Sequence, residues 1–401
     1  MRPLELSIKV DAVDHYIYRG YIYIALSDGG IIRVSLNDIY NNLISKYPNY
    51  SGVITLAYRR NNFWNTDSAK CFLSIPEVKK TLMEVWDNVS ANIIFEVDLN
   101  DLDPVTIVKE VKGEILDIDI YADNLLLGCT DGFFSVRLDH PINKKNKLKL
   151  SRKFDAKIYK IASAYGNSIL SLGNDGLVAA DILTNRFVSD KVIRENVSFA
   201  SNWTAAGGLM NYSSANEFQF IGNKMQRSKE APEKYHIAQF DTSFKDFNAL
   251  ISTQDIIASQ IKMGFNNREK QFYLLSDGTI FSSEVKVKSG TISKLKPIIS
   301  SQVKFDYNLL GNPLSGIMVA DQPIIEFEDK LILINNNEQF IIEDEGIVSM
   351  HSYPRSTHFR DIISVTAEEC VNLHAINVFD YEPDKLFPRP NEYPFIYSNG
   401  Q

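Results

Sequence analysis

The sequence predicts an all-β chain folded as a single β-propeller of seven four-stranded antiparallel blades, with short helical insertions. Two observations carry that expectation. First, Asp-Gly occurs four times, at Asp28-Gly29, Asp131-Gly132, Asp175-Gly176 and Asp277-Gly278, each after a small polar residue and between two apolar runs. Asp supplies a local hydrogen bond and Gly a positive φ, the combination a tight hairpin turn needs. Second, the turns recur. Their centres fall near residues 28, 67, 131, 175, 215, 277 and 336, and three of the intervals match a blade, for which the usual period is roughly 40–45 residues. The longer intervals would carry insertions, and six or eight blades are the alternative counts.

In chain order, Leu4 to Val10 reads as a strand, placed to pair with the last blade and close the ring. Closure matters because an open ring would leave strand edges unpaired. Tyr21 to Leu26 and Ile31 to Leu36 flank the first Asp-Gly turn, and a short helix is expected from Leu36 to Ser45. Thr66 to Ile75 reads as a decayed copy of the turn unit. Pro76 then opens a helix over 76–89, with Val78, Leu82, Val85 and Trp86 on one stripe; proline costs nothing at a first helical position. Residues 113–138 and 158–182 are the best-matched units, each strand, short turn, strand, Asp-Gly turn, strand. Lys147 to Ser151 would supply a fourth strand. Gly208 to Phe220 and Leu331 to Ile342 are degenerate copies, the second with an Asn-rich turn. Thr366 to His374 is a second helical candidate, since Thr366 and Glu369 have capping-box spacing, although the same residues also suit a strand. The propeller is expected to span 1–380. A tail over 381–401 is rich in proline and aromatics, unsuited to a regular helix or a central strand.

These units resemble divergent WD40-like propeller repeats, through the Ser/Thr/Asn-Asp-Gly turns and the strand–turn–strand layout over most of residues 4–380. The resemblance is one of fold. The Gly-His and Trp-Asp dipeptides of WD40 repeats are absent, so no binding residue is carried over.

Composition bounds the function classes. The 401 residues are 44% hydrophobic and 23% charged, with a net charge of -8, which argues against a global field for nucleic acid. Cys71, Cys129 and Cys370 are odd in number, far apart and form no Cys-x-x-Cys, so a disulfide scaffold is not expected. The N-terminus reads as a strand rather than a signal peptide, and no apolar run is long enough for a membrane span. A reducing, cytoplasmic compartment and no membrane partner are the expectation.

Motifs for chemistry are sparse. There is no Gly-x-Ser-x-Gly, no His-Glu-x-x-His and no phosphate-binding Gly-x-x-x-x-Gly-Lys. No catalytic residue and no cofactor are assigned. Asp98 to Asp103 lacks the glycine and terminal Glu of a calcium loop and reads as an exposed acidic loop. His351, His358, Cys370 and His374 are the candidate metal ligands, against the plainer reading of loop histidines and a buried Cys. A basic stretch runs through Lys144, Lys145, Lys147, Lys149, Arg152, Lys153, Lys157 and Lys160. It suits phosphate or an acidic partner, or else is a charged outer strand guarding an edge. Phe387, Tyr393, Phe395 and Tyr397 in the tail are anchors for packing on the propeller or for docking a partner.

The expectation is a non-enzymatic interaction scaffold, a subunit of a larger assembly, binding one or more proteins through face loops and insertions. A nucleic-acid-binding propeller using Lys144–Lys160 is the first alternative, and a metal-dependent enzyme with a site near His351–His374 the second.

Overall fold

In the computed structural model, the described residues are 2–376 without 59–71, 74, 139–147, 165–166, 182–186, 195–196, 206–207, 228–234, 241–244, 247–259, 268–269, 285–286, 289–290, 293–297, 320–321, 336–337, 345, 354–355 and 357. Seven sheets stand around one channel. Blade 1 is Ala12–Tyr18, Tyr21–Leu26, Ile31–Ser35 and Val105–Val108. Blade 2 is Ile115–Tyr121, Asn124–Cys129, Gly132–Arg137 and Ser151–Phe154. Blade 3 is Lys160–Ala164, Asn167–Ser171, Leu177–Asp181 and Phe187–Arg194. Blade 4 is Ala200–Ala205, Gly208–Tyr212, Phe218–Arg227 and Tyr235–Phe240, with Lys245–Asp246 beside its third strand. Blade 5 is Ile261–Asn267, Lys270–Leu275, Thr279–Glu284 and Ile298–Gln302. Blade 6 is Ser315–Val319, Gln322–Phe327, Lys330–Asn335 and Glu338–Glu343. Blade 7 is Ser349–Ser352, Ile362–Ala367 and Cys370–Ala375, followed by Leu4–Lys9 and Ile94–Asp98. The first-named strand of each blade is innermost.

The Asp-Gly turns join second and third strands in blades 1, 2, 3 and 5. In two of them the mechanism is explicit. Asp28 Oδ1 accepts the Gly30 N–H at 2.8 Å while Gly29 sits at φ 84°, and Asp277 Oδ1 accepts the Thr279 N–H at 2.9 Å while Gly278 sits at φ 84°.

The core lies between blades. Seven apolar clusters fill the seven joints between neighbouring blades. The strand Tyr21–Leu26 shows why its sequence is apolar without interruption: Ile22 and Ile24 pack toward blade 7, Tyr23 and Ala25 toward blade 2. Side chains alternate across a strand, so a strand buried on both faces needs both sets apolar.

The ring closes through its first strand. Leu4–Lys9 pairs antiparallel with Cys370–Ala375, and its other edge pairs in parallel with Ile94–Asp98. That fifth strand is the end of an insertion from blade 1. Helix α1 (Leu36–Lys46) starts at Ser35, whose side chain accepts the Asp38 N–H; α2 (Ser51–Tyr58) and α3 (Pro76–Asn92) follow. Ile39, Leu43, Val53, Ile54 and Trp86 join the same cluster as Leu4, Leu6 and Ile8. Trp86 is fully buried and donates its indole N–H to the Arg2 carbonyl at 2.9 Å, a burial that contributes about 3 kcal/mol. The insertion thus carries blade 1 back across blade 7 and clamps the closing strand on its open side. No described helix is long and apolar enough to cross a membrane.

The turn unit near residue 67 lies outside the described residues; the described chain on either side of it is helical, and the seventh blade is built from Ser349–Ala375 with Leu4–Lys9. Three local expectations are corrected. In blade 6 the turn equivalent to Asp-Gly is Glu328-Asp329, and the Asn-rich segment joins the third strand to the fourth. A four-stranded meander repeats strand–turn–strand at each turn, so pattern alone does not say which turn is which. Thr366 to His374 is not a helix but part of a hairpin, Ile362–Ala367 with Cys370–Ala375. Every residue of Ile362–Ala367 is buried, and a β-rich run covered on both faces outweighs a capping-box spacing. The fourth strand of blade 2 starts at Ser151, later than Lys147.

Candidate functional site

A cavity of about 940 Å³ occupies the channel, and all seven blades line it. The innermost strands run in one sense around the ring. The cavity takes their second halves and first turns, such as Tyr18, Arg19 and Gly20 in blade 1 and Tyr121 and Ala122 in blade 2. None of the Asp-Gly turn residues is among its walls.

A polar cluster fills the channel side of blades 7, 1, 2 and 3. In blades 1 and 2 an extra residue interrupts the pairing of the innermost strand, between Ala12 and Asp14 and between Ile115 and Asp117. Asp14 then lies opposite Ala25, Asp117 opposite Gly128, and Lys160 opposite Ser171, one place in three successive blades. Such bulges re-aim side chains. Asp14 Oδ2 accepts the Ile118 N–H of blade 2 at 2.9 Å, and Asp117 Oδ2 accepts the Ile161 N–H of blade 3 at 2.7 Å. The Lys160 ammonium pairs with Asp117 Oδ1.

Asp14 Oδ1 faces blade 7. It accepts the Ser349 hydroxyl at 2.6 Å and lies 2.7 Å from His351 Nε2. His15 Nδ1 lies 2.7 Å from Thr366 Oγ1, which in turn lies 3.0 Å from the Ser349 hydroxyl oxygen. Edge-on rings extend the cluster: His15 to His351 at 5.2 Å, Tyr16 to His351 at 5.6 Å, Tyr16 to Tyr353 at 5.5 Å. Tyr353 Oη contacts Ser364 Oγ at 2.6 Å and accepts the Ile17 N–H at 3.2 Å. The His15 side chain is fully buried, and its Nε2 has no hydrogen-bond partner among the described residues.

Electrostatics follow from burial and charge. Burial would raise Asp14, but the charge and hydrogen bond of His351, with Lys160 beyond, hold it well below the usual carboxylate range. Burial raises Asp117 to about 6, with Lys160 opposing and Asp14 adding. Burial would lower Lys160, yet Asp117 and Asp14 together hold it above its ordinary value. Burial, with His351 alongside, lowers His15 to about 3, so its imidazole is neutral at pH 7.

The residues singled out from sequence fall in different places. His351 is in the channel cluster and His358 in the cavity wall. Cys370 and His374 lie elsewhere in blade 7, on one face of its third strand with Asn372 between. There His374 Nε2 lies 3.1 Å from Asp344 Oδ2, and Asn372 donates to Asp344 Oδ1 at 2.7 Å. The histidines therefore split into two sites. Among the basic residues, Lys149 and Arg152 are exposed, Arg152 pairs with Asp155, and Lys157 stands over the Tyr159 ring at 4.6 Å. Lys160 turns into the channel. Lys144, Lys145, Lys147, Phe387, Tyr393, Phe395 and Tyr397 lie outside the described residues.

Sequence reasoning missed Asp14, His15 and Asp117. A signal was present: Ala12-Val13-Asp14-His15-Tyr16-Ile17-Tyr18 and Ile115-Leu116-Asp117-Ile118-Asp119-Ile120-Tyr121 align without gaps, each with Asp third and Tyr last.

No family model matches the sequence, and no curated protein matches it. Several solved structures are similar to it at low identity. The computationally designed protein Ika8 is 9% identical with a TM-score of 0.46, covering 94% of this chain and 100% of that one. The WD40 β-propeller domain of Doa1 is 8% identical with a TM-score of 0.43, covering 94% of each. The β-propeller domain of Cps50 (Swd1) from Myceliophteria thermophila is 8% identical with a TM-score of 0.41, covering 67% of this chain and 98% of that one.

Proposed function

We propose that this propeller is a protein-interaction scaffold and that its partner docks on the outer rim of blade 5. The observation that carries the reading is the outermost strand there, Ile298–Gln302, which has the sequence Ile-Ile-Ser-Ser-Gln. It pairs with Thr279–Glu284 on one side, and no described strand pairs with the other. Ile298 is 62% exposed and Ile299 65%. Adjacent strand residues point to opposite faces, so both faces of this edge are apolar. Edge strands are ordinarily guarded by charge. The outer strand of blade 2 carries Arg152 and Lys153, and that of blade 6 carries Glu343. The described strand Ile298–Gln302 carries no charged residue. Leu309 and Leu314, in the connection to blade 6, are exposed as well. An extended partner segment that adds a strand and offers apolar side chains of its own suits this edge.

The test is co-purification of the full chain from its native cells beside Ile298→Lys and Ile299→Lys variants. Support is a discrete protein held by the wild type, released by both variants, and protecting the amides of residues 298–302 from hydrogen exchange. A partner retained equally by both variants overturns this docking site. A salt-sensitive nucleic acid, lost on Lys144→Glu with Lys145→Glu and Lys147→Glu, overturns the scaffold reading itself.

A further inference from the structure

We propose that Asp14, His15 and His351 bind one divalent transition-metal ion, of the zinc class, which bolts blade 1 to blade 7. One carboxylate oxygen of Asp14 and one ring nitrogen from each histidine lie within 4.8 Å of one another. Among the described residues this is the one group of three or more His, Cys, Asp or Glu so arranged. All three side chains are buried, and they come from the innermost strands of two blades that neighbour across the ring closure.

A second observation is independent of that proximity. His15 Nδ1 is held by Thr366 Oγ1 at 2.7 Å, while its Nε2 is buried without a partner among the described residues. A buried polar nitrogen left unpaired costs free energy. Metal-binding histidines characteristically fix one ring nitrogen by a hydrogen bond and offer the other to the ion. Ser349 completes the arrangement, since its hydroxyl contacts both Asp14 and Thr366. Two imidazoles and one carboxylate suit zinc, cobalt(II) or nickel(II) rather than calcium or magnesium, which prefer oxygen ligands throughout. A fourth position is left for water. The ion has an entry path, because His351, Tyr16 and Tyr353 line the cavity.

The ion has a mechanical consequence. Blade 7 is held to blade 1 by apolar packing and by the Asp14, His15 and Tyr353 contacts. Metal bonds across that joint would tie the two ends of the ring by inner strands, as Leu4–Lys9 ties them by outer ones.

The experiment is titration of the chelator-treated full chain with Co²⁺ and with Zn²⁺. The expected result is one ion per chain, visible d–d absorption in the Co²⁺ form, and a melting temperature that rises with metal. His358→Ala binds as the wild type does. His15→Gln and His351→Gln lose binding while keeping the far-ultraviolet circular dichroism of the folded chain. Should those variants unfold, X-ray absorption of the zinc-loaded wild type decides: nitrogen and oxygen neighbours with scattering from two imidazoles uphold the site. A sulfur neighbour, which would point to cysteine, or the absence of imidazole scattering overturns it. So does a folded wild type that gives no Co²⁺ absorption, or undiminished binding in both glutamine variants.

Discussion

Asp14 and Asp117 occupy one place in successive blades, and each gives a carboxylate oxygen to a backbone N–H of the next blade's inner strand. The repeat therefore contains a joint as well as a turn. Blade 3 breaks the series by placing Lys160 there, and Lys160 reaches back to Asp117. Two like charges in neighbouring blades are thus followed by a cation that terminates them.

Asp117→Ala leaves the Ile161 N–H without its acceptor and the Lys160 ammonium without its ion pair. A buried donor left unsatisfied and a charge left unpaired together cost about 3 kcal/mol. The Lys160 side chain is 37% exposed, so water recovers part of the charge penalty and the loss stays near that figure. Asp117→Asn keeps an oxygen for Ile161 and should lose less. Denaturant midpoints of the two variants check the order; an alanine variant as stable as the wild type would remove the carboxylate from the account of the joint.

Gly278 and Gly20 separate two demands that a turn glycine can meet. Both have positive φ, 84° and 80°. A Cβ on Gly278 would stand 1.7 Å from the Val303 carbonyl oxygen, whereas at Gly20 nothing lies within 4 Å. The left-handed conformation alone costs roughly 1–2 kcal/mol for alanine. Gly20→Ala should cost about that much. Gly278→Ala must in addition push the link into blade 6 away from the turn, and the total should pass about 3 kcal/mol. Equal losses in thermal or denaturant unfolding would mean that backbone conformation alone holds Gly278 in place.

Much of the ring was legible because each turn is local. Asp28-Gly29 and Asp277-Gly278 form within a few residues, so their sequence states their geometry. The insertion was half legible: Pro76 and the stripe through Trp86 mark a helix, but nothing near them states that the strand Ile94–Asp98 will pair with Leu4–Lys9. That contact is set by a surface that forms only once the ring has closed. The channel cluster was hidden for the same reason. Asp14 and His351 are 337 residues apart in sequence and 2.7 Å apart in space, and a search for ligands close in sequence gathered His358 and Cys370 instead. Lys160 read as the end of a basic surface stretch because counting charge along the chain ignores that its strand is innermost.

The Asp344–His374 contact predicts how stability depends on pH. Burial would lower His374, but the hydrogen bond and charge of Asp344, with Glu5 beyond, raise it above its ordinary 6.5. A group with a raised folded pKa stabilises fully below its unfolded value and loses that contribution as pH rises through the folded one. Burial would raise Asp344, but His374 and Asn372 hold it below its ordinary 3.8, so its contribution is present above that value and is lost in acid. The other groups facing the pair are on Leu4–Lys9 and on the same strand as His374. Burial raises Glu5, which sits opposite His374, and burial raises the Cys370 thiol. Glu5 has the opposite sign to Asp344, stabilising in acid and losing that as pH rises above its ordinary 4.5, so the acid limb is mixed. In the neutral limb His374 and His15 act with opposite sign: His15, lowered to about 3 by burial, takes up a proton near its ordinary 6.5 only in the unfolded chain, so its contribution grows as pH rises. From pH 6 to pH 8 the wild type should lose stability relative to His374→Gln, in which His15 still titrates and the glutamine retains a donor toward Asp344. Melting curves of the two proteins at both pH values measure the difference. A variant that keeps the wild-type slope over that interval would place the neutral imidazole of His374, not its protonated form, against Asp344.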